Sequence, residues 1–569
     1  MENDKQLKVV LCWHMHQPDY RDHIRDEFQL PWVYLHAIKD YVDMAAHLEA
    51  IPEAKAVINF SPILLEQLQV YETQIHGRLN NSDPIRDPLL TMLDAPVFPS
   101  AIEYRTALVK ACLRSNRKQC IERYSAYQQL AEIAESVING KISGSYLSNQ
   151  YLADLVTWYH LAWLGETVKR TDTLVMQLIE QASGFTLHQR HGLLEVVGRC
   201  ISSLRSRYTK LAKEGQVELS MSPYAHPMSP LLSQFDVARE VMPKISLPML
   251  NGYPGGNERA RWHLEHGLSV FENYFGMRPV GCWPSEGGIS TETLKLISES
   301  GFKWAATGEN VLRNSLNQST EKNIEKENIY KIYHEQDSNL CLFARDDNLS
   351  DKIGFTYFNW HGDDAVADLI HQLEHIADTS PEKGETVVSI IMDGENAWEH
   401  YPENGYYFLS ALYQKLSAHP GLQLTTYNTL TDSHQVHELG KVVSGSWVYG
   451  SFSTWIGDED KNRAWDILGD AKRVYDEVCS NTSFDEKHQE RIDKQLAVCE
   501  GSDWFWWFGD YNPADAVSDF ERLYRIHLAN LYQMLGQEPP QYLAQILAHG
   551  SGSPEMGGVI RHGAVDQTN

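Results

Sequence analysis

The chain has 569 residues, 42% of them hydrophobic, which is enough to form a sizeable core. Lysine and arginine number 49 and aspartate and glutamate 76, so the formal net charge is −27. Because this surplus of negative charge repels phosphate groups, the composition argues against nucleic acid or an anionic membrane as a partner and suits a neutral ligand. A barrel with insertions can use more than about 400 residues, so two structural units are expected.

The cysteine pattern and the start of the chain indicate the cellular compartment of the protein. The eight cysteines are widely spaced and form no Cys-x-x-Cys pair, which favours reduced thiols over a zinc site. The first residues carry no basic region followed by a long apolar run, and no apolar stretch approaches the roughly 20 residues that span a bilayer. We therefore expect a cytoplasmic protein without a signal peptide or membrane segment.

Six short apolar runs, each leading into a polar or glycine-containing loop, predict buried strands. They are residues 8–13, 55–60, 216–220, 279–283, 302–307 and 386–392. Helix-like stretches separate them, and this alternation predicts a parallel α/β barrel. In such a barrel, chemistry gathers at the carboxyl ends of the strands. His14, His16, Glu286 and Asp393 each follow one of these runs.

Helical patterns dominate two regions. Residues 63–213 predict a large helical insertion between two barrel strands, with helical patterns at 106–113, 121–137 and 151–169. Beyond about residue 435 the strand pattern fades, and 462–478, 486–498 and 516–535 predict a C-terminal helical region. The expected domains are therefore a barrel at 1–435 and a helical region at 436–569. Residues 549–569 predict a mobile tail.

The first strand run ends in two histidines, and a glutamate lies within the third run. His14 and His16 are spaced i, i+2 and point to the same side of a strand. They are compatible with contacts to sugar hydroxyls, with two ligands of a metal, or with a structural role. Glu218 needs a partner if it is buried. It either braces one of the histidines or faces outward on an edge strand.

Three acidic residues and an aromatic run are the remaining candidates. Glu286 is followed by two glycines, which allow a ligand to approach closely. Asp393 and Glu395 end the most apolar run, where partial desolvation raises a pKa and makes an acid a useful proton donor. Two carboxylates that face one sugar are the minimum machinery for cleaving a glycosidic bond. Residues 503–508 contain five consecutive aromatics after Asp503, which either close over a sugar or form a helical core.

In this order, the segments resemble glycoside hydrolase family 57 over roughly residues 8–535. The Trp-Pro-Ser-Glu-Gly form of one segment is most similar to the α-amylase and amylopullulanase branch. The segments that carry the resemblance are His14-x-His16-Gln17-Pro18, Gly215-Gln216-Val217-Glu218-Leu219, Trp283-Pro284-Ser285-Glu286-Gly287, Asp393-Gly394-Glu395-Asn396 and Ser502-Asp503-Trp504-Phe505-Trp506-Trp507.

The resemblance implies an incomplete (β/α)7 barrel with a helical region that helps to close the active site. It implies that Glu286 is the nucleophile and Asp393 the general acid/base of a retaining reaction. Carboxyl groups in such a pair lie about 5–5.5 Å apart. The residues that it places in or around the sugar site are His14, His16, Glu218, Glu395, Asp503 and Trp506. To these we add Trp283, which lies three residues before Glu286.

Four functions remain open from the sequence. The first is an α-glucan hydrolase of the α-amylase or amylopullulanase type that needs neither cofactor nor metal. The second is a 4-α-glucanotransferase or glycogen branching enzyme that uses the same carboxylates but passes the sugar to another sugar. The third is a metal-dependent carbohydrate enzyme, similar to a deacetylase or mannosidase, in which His14 and His16 bind the metal. The fourth is a catalytically silent glucan-binding protein.

Overall fold

Twelve short strands organise the part of the chain that the computed structural model describes, which is residues 6–318, 329–336 and 338–552. Ten of them form one curved sheet and two form a separate hairpin. In chain order they are β1 (Leu7–Met15), β2 (Arg21–Asp22), β3 (Glu27–Phe28), β4 (Ala56–Phe60), β5 (Val217–Met221), β6 (Gly281–Cys282), β7 (Trp304–Thr307), β8 (Ile332–Glu335), β9 (Cys341–Ala344), β10 (Val387–Asp393), β11 (Leu422–Leu424) and β12 (Val436–Leu439).

Seven parallel neighbours, in the order β10-β1-β4-β5-β6-β7-β9, make the incomplete barrel. The register sets His14 opposite both Asp393 on β10 and Asn59 on β4, so polar strand ends gather at one rim. A single parallel bridge between Arg345 and Ser389 joins the two end strands. β8 lies antiparallel to β9, β12 pairs with β8, and β11 pairs with the start of β1.

A largely apolar core fills the inside of this barrel. Alternate residues of a strand face opposite sides, so Val10 and Cys12 point inward while Leu11 packs against the helices. Trp304 and Phe343 meet Tyr427, each with ring centroids 4.4 Å apart. This tyrosine begins a short helix that closes the amino end of the barrel. A ligand can therefore enter only at the carboxyl rim.

The helices cover the outside of the barrel and build two additional regions. Those of the barrel are α1 (Trp32–His36), α2 (Val42–Ala50), α11 (Ser229–Ser233), α12 (Gly256–Phe275), α13 (Thr291–Glu299), α14 (Glu309–Gln318), α15 (Asp347–Asp351), α16 (Gly362–Thr379), α17 (Tyr406–Ser417) and α18 (Tyr427–Thr431). Those of the insertion are α3 (Pro62–Asn81), α4 (Pro88–Leu93), α5 (Ile102–Ala111), α6 (Ser125–Ile138), α7 (Asn149–Trp163), α8 (Glu166–Thr171), α9 (Thr173–Gln181) and α10 (Leu187–Lys213). Those of the C-terminal region are α19 (Glu459–Asn481), α20 (Glu486–Cys499), α21 (Ser502–Trp507) and α22 (Ala514–Met534).

The predicted fold class is confirmed, with two corrections to its strands. All six predicted strands form, and the helical insertion lies between β4 and β5. The seventh barrel strand, β9, is short, at four residues, and is not among the six predicted strands. The strand pattern also does not end at 435, because β12 adds one more strand at Val436–Leu439. The predicted mobile tail lies almost entirely outside the described residues, which end at 552.

Two further findings concern the surface and the thiols. Among the described residues, no helix combines the length and the apolar character needed to cross a bilayer. All eight cysteines lie in the described part of the chain, each is unpaired, and seven are buried.

One buried ion cluster attaches the C-terminal region to the barrel. The carboxylate of Glu500, fully shielded from solvent, accepts hydrogen bonds from the Arg259 guanidinium at 2.8–3.0 Å. It also contacts His263 Nε2 at 2.8 Å and accepts the Tyr253 hydroxyl at 2.6 Å. Burial by itself would raise the pKa of Glu500, but Arg259 and His263 outweigh it and hold the pKa at about 2. The next residue, Gly501, bridges to the barrel loop at Pro227.

We expect Arg259→Met to lower the free energy of unfolding by about 3–5 kcal/mol, because it leaves a buried carboxylate without its cation. Urea denaturation at pH 7 measures this. Arg261→Met is the matched control, since Arg261 lies on the same helix as Arg259 and forms an exposed pair with Glu299 of α13. The Glu500 contribution is present above its unfolded pKa of about 4.3 and is lost as the pH falls towards 2. Equal losses in the two variants would contradict a stabilising role for this cluster.

Candidate active site

A cleft of about 480 Å³ opens at the carboxyl rim of the barrel. A second groove, of about 800 Å³, lies between the β2–β3 hairpin, α3 and α20, and contains none of the predicted site residues. The smaller cleft is therefore the candidate site. The predicted residues that line it are His14, His16, Glu286, Asp393, Glu395, Asp503 and Trp506.

Glu286 is held in place by its own backbone and by two donors. It has a φ of +58°, a left-handed conformation that costs a non-glycine residue about 1–3 kcal/mol and is typical of functional positions. Its Oε1 lies 2.9 Å from Ser502 Oγ, and its Oε2 accepts the Trp447 indole N–H at 3.1 Å. Trp447 also donates its backbone N–H to the carbonyl of Glu286 at 3.0 Å.

Asp393 ends β10, directly opposite His14 at the end of β1. Its Oδ2 accepts an amide N–H from Asn396 at 3.1 Å. Burial raises the pKa of Asp393 to about 6, although the Asn396 hydrogen bond, His16 and Arg345 act to lower it. Burial and the charges of Asp503 and Asp393 raise the pKa of Glu286 to about 8. Between these two values the pair holds one proton.

Three histidines form a stack on one side of this pair. The rings of His16 and His226 are 3.9 Å apart and nearly parallel, and His14 lies 5.0 Å from His226. His16 Nε2 contacts Asp503 Oδ2 at 3.0 Å, and His16 Nδ1 contacts Ser61 Oγ at 2.7 Å. The stack therefore joins strand β1 to the barrel loop after β5 and to the C-terminal region.

The proton positions in this stack depend on the charge of Glu286. Asn59 Oδ1 accepts from His14 Nδ1 at 2.7 Å, and His14 Nε2 faces His226 Nε2 at 3.1 Å. Burial lowers the pKa of both histidines, so each carries one proton, and His226 Nδ1 must accept from Ser502 Oγ at 2.9 Å. The same hydroxyl proton is the one that an ionised Glu286 accepts at its Oε1 at 2.9 Å, so His226 Nδ1 and Glu286 compete for it.

Glu395 is the most deeply buried acid of the cleft. Its Oε1 accepts the backbone N–H of His16 at 3.1 Å, the Gln17 amide at 3.2 Å and the Tyr41 hydroxyl at 3.3 Å. Burial and the charge of Asp393 raise the pKa of Glu395 well above its ordinary value. Its Oε2 finds no hydrogen-bond partner among the described residues, which leaves one buried polar atom for a ligand.

Aromatic side chains from the C-terminal region form the opposite wall. Trp506 and Trp507 belong to α21 and line the cleft, as expected for a run that closes over a site. Trp506 packs against Trp455 with ring centroids 5.9 Å apart. The rest of the run, Trp504, Phe505 and Phe508, is core, as one of the two interpretations of this segment predicts.

Two predicted residues lie outside the cleft. Glu218 lies in the barrel core, where its carboxylate accepts the Trp304 indole N–H at 2.6 Å and the Asn428 backbone N–H at 2.9 Å. It therefore braces neither histidine, because it is the second residue of β5 and lies towards the amino end of the barrel, away from the rim. Trp283 is fully buried beneath Glu286 and meets Trp447 edge-on at 5.4 Å, so it supports the site without lining it.

Sequence reasoning missed four residues that complete the site: Asn59, His226, Trp447 and Ser502. His226 lies in a Pro-Tyr-Ala-His-Pro segment after the third strand run and has a φ of +56°. Ser502 directly precedes the predicted Asp503. For Asn59 and Trp447 the sequence carries no comparable signal.

Three residues of this set are also placed so that they could hold a cation. His16, His226 and Asp503 each offer one atom, and these atoms lie within 4.8 Å of one another. In the structure, His16 is hydrogen-bonded to Asp503, and His226 to Ser502 and His14. His14, which the sequence grouped with His16, is outside this trio.

The sequence matches a family model, and the fold matches solved structures. The family model described as glycosyl hydrolase family 57 matches residues 10–443. No curated protein matches the sequence. A branching enzyme from Pyrococcus horikoshii is similar in structure, with 16% identity and a TM-score of 0.57, over 94% of this chain and 90% of that one. The α-amylase AmyC from Thermotoga maritima shares 13% identity, with a TM-score of 0.55 over 93% of each chain. A 4-alpha-glucanotransferase from Thermococcus litoralis shares 13%, with a TM-score of 0.51 over 93% of this chain and 60% of that one.

Ser502→Ala should raise the pKa of Glu286 further, because it removes a hydroxyl hydrogen bond that favours the ionised carboxylate. Carbon-13 NMR titration of glutamate-labelled protein measures this, with Glu286→Gln used to assign the signal. Ser202→Ala, at an exposed position of α10, is the control and should leave the titration in place. A Glu286 signal that titrates identically with and without Ser502 would show that the hydroxyl does not act on the carboxyl.

Proposed function

The chain belongs to glycosyl hydrolase family 57, and we propose from its site that it is a retaining enzyme acting on α-glucans, of the α-amylase or amylopullulanase type. The observation that carries the proposal is that Glu286 and Asp393 line one cleft, with pKa values raised to about 8 and about 6. A glycosidase needs one protonated and one ionised carboxyl group, and the retaining assignment follows the family resemblance of the two segments that carry them. Enzymes described as an α-amylase, a branching enzyme and a 4-alpha-glucanotransferase share the fold, which supports an α-glucan as substrate.

In the first step, Glu286 attacks the anomeric carbon while Asp393 protonates the leaving oxygen. The first step therefore needs Asp393 protonated and Glu286 ionised. Two effects favour this arrangement. The glycosidic oxygen accepts a hydrogen bond only from a protonated Asp393, and positive charge that develops on the sugar stabilises an ionised Glu286.

The surrounding groups support an ionised Glu286 once the reaction begins. The hydroxyl of Ser502 and the indole N–H of Trp447 each donate to one of its oxygens. Asp503 and the histidine stack face the same sugar, where they are in place to accept and donate hydroxyl hydrogen bonds. In the second step, Asp393 deprotonates the acceptor, which attacks the glucosyl-enzyme and releases Glu286.

The acceptor separates hydrolysis from transfer. With water as acceptor the enzyme is a hydrolase, and with a sugar hydroxyl it is a 4-α-glucanotransferase or branching enzyme. The transferase remains the alternative function, because two of the structures with the same fold are described as a branching enzyme and a 4-alpha-glucanotransferase.

A metal-dependent carbohydrate enzyme is the third candidate. It is favoured only by the spacing of His16, His226 and Asp503. In that case a chelator would remove activity, whereas the carboxylate mechanism needs no metal.

The product profile from maltoheptaose, pullulan and soluble starch, with and without EDTA, tests these alternatives. We expect only shorter maltooligosaccharides, formed equally with and without EDTA. A ladder of longer and shorter sugars would replace the hydrolase with the transferase.

Glu286→Gln and Asp393→Asn should each lower kcat by about 10³-fold or more while retaining the fold. Glu265→Gln, at an exposed position of α12, is the control. Retained turnover in either active-site variant would remove that residue from its proposed role.

We also expect a bell-shaped dependence of kcat/KM on pH, with limbs near pH 6 and pH 8. Below about 6 both carboxyls are protonated and no nucleophile remains, and above about 8 neither is protonated and no acid remains. Initial rates from about pH 4.5 to about pH 9.5 measure this, with re-assay at pH 7 to exclude denaturation. Activity that continues to rise through pH 9 would contradict a shared proton.

A further inference from the structure

A single buried arginine contacts both segments that hold the proposed catalytic carboxylates. Arg345 directly follows β9, and its backbone bridges to Ser389 on β10. β9 and β10 are the two end strands of the incomplete barrel, so Arg345 lies in the gap that an eighth strand would fill. Its side chain is buried and reaches two groups near the carboxyl rim.

The first of these groups belongs to the strand that ends in Asp393. The Nε–H of Arg345 donates to the carbonyl oxygen of Ile391 at 2.7 Å, two residues before Asp393. β10 pairs with β1 along one edge, and the arginine supplies this hydrogen bond at the other edge. Burial raises the pKa of Asp393 to about 6, and the charge of Arg345 acts against this rise. The arginine therefore acts on both the position and the charge of Asp393.

The second group is the tryptophan that holds Glu286. The guanidinium carbon of Arg345 lies 5.4 Å from the centroid of the Trp447 ring, which is a cation–π contact. The same indole donates its Nε1–H to Glu286 Oε2 at 3.1 Å. A change in the orientation of this ring therefore moves a hydrogen bond on the carboxylate.

The backbone of Trp447 is held independently of the arginine. Its N–H donates to the carbonyl of Glu286 at 3.0 Å, and the preceding Gly445 bridges to Ile289. A Cβ on Gly308 would lie 2.6 Å from the Trp447 Cα, so the two backbones are in close contact. What remains to be fixed is the orientation of the indole, and the guanidinium lies over its face.

Two aspartates of α15 hold the guanidinium in one orientation. Nη1 donates to Asp347 Oδ1 at 2.6 Å, and Nη2 donates to Asp351 Oδ1 at 2.7 Å. With Nε bound to Ile391 as well, all three nitrogens have an acceptor, and the planar group cannot rotate without breaking a hydrogen bond. A lysine carries the same charge but lacks this planar fork, so it cannot make these contacts together.

We propose that Arg345 is a positioning residue that sets the separation of the two carboxyl groups, because it fixes both the strand end that carries Asp393 and the indole that orients Glu286. The proposal rests on the proposed function and deepens it. The separation of the pair decides whether one carboxyl can attack the sugar while the other protonates the leaving oxygen. Arg345 is not among the residues that line the cleft, so it acts through these two segments and not on the sugar.

Arg345→Lys tests the proposal, because it keeps the charge and removes the planar fork. We expect kcat for maltoheptaose to fall about 5–30-fold, with KM within about twofold of the wild type, since the sugar contacts are unchanged. Arg313→Lys is the matched control. Arg313 donates to Glu309 at 2.7 Å within α14 and does not line the cleft, so this variant should match the wild type.

Hydrogen exchange of the Trp447 indole N–H separates positioning from stability. In protein labelled with nitrogen-15 tryptophan, and with Trp447→Phe to assign the signal, exchange should be about 5–30-fold faster in Arg345→Lys. The indole N–H of Trp504, which donates to the carbonyl of Val498 at 2.8 Å in the C-terminal region, should exchange as in the wild type. Equal acceleration of both signals would show that Arg345 only stabilises the fold. Unchanged exchange at Trp447 would show that Arg345 does not hold the indole. Either result overturns the proposal.

A double-mutant cycle tests the route through the indole. Trp447→Phe removes the donor to Glu286, so adding Arg345→Lys to it should lower kcat by less than Arg345→Lys does alone. Full additivity would contradict this route. If Arg345→Lys does not fold, Asp351→Asn takes its place, because it keeps the arginine and removes one charge that holds it. The same selective acceleration at Trp447 is then expected, by a smaller factor, and its absence would overturn the proposal.

The exchange measurement also separates the failure of this proposal from the failure of the proposed function. If the wild type cleaves no α-glucan but exchange at Trp447 accelerates selectively, the proposed activity is wrong and the positioning by Arg345 stands. If the wild type cleaves maltoheptaose and neither kcat nor this exchange changes in Arg345→Lys, the activity stands and the positioning role is wrong.

Discussion

A carboxyl group kept buried at the rim of an open barrel is the constraint on which the site depends. Glu286 can occupy that place because two donors reach it from distant parts of the chain. Ser502 lies 216 positions away and Trp447 lies 161 positions away. Removing a carboxyl from water is expensive, so these contacts and the strained backbone at Glu286 are jointly required. The barrel strands alone therefore do not make the site, and the C-terminal region must pack against them.

Two buried ionic clusters place those donors. Glu500, held by Arg259, lies two residues before Ser502. This ion pair therefore holds the backbone next to Ser502 in place, and with it the Ser502 hydroxyl. On the other side, Arg345 lies where the barrel has no eighth strand. It donates to the carbonyl of Ile391 at 2.7 Å, pairs with two aspartates of α15, and lies 5.4 Å over the Trp447 ring. The Arg345 side chain therefore both closes the barrel and positions Trp447, the second donor to Glu286.

The protonation of the acids and histidines in the cleft is set by burial and by neighbouring charges. The chain carries a formal net charge of −27, and the cleft gathers five acids and four histidines, of which burial keeps His14 and His226 neutral. Burial, together with the charges of neighbouring acids, raises the pKa values of Glu286, Asp393 and Glu395, so the cleft keeps protons that isolated carboxyls would lose. A neutral substrate enters such a site without bringing charge of its own, and the single shared proton is then free to move between the two carboxyls.

The sequence by itself determined the barrel class, the helical insertion, the C-terminal helices and the strand-end positions of Glu286 and Asp393. These follow from apolar runs and their spacing, which report burial along one strand or helix. It placed Glu218 wrongly, because register decides whether a strand residue lies at the rim or in the core. It could not find Asn59 or Trp447, since nothing local distinguishes them. Only the tertiary structure brought these residues together, because their contacts join segments that are distant in the chain, and local pattern carries no information about such contacts.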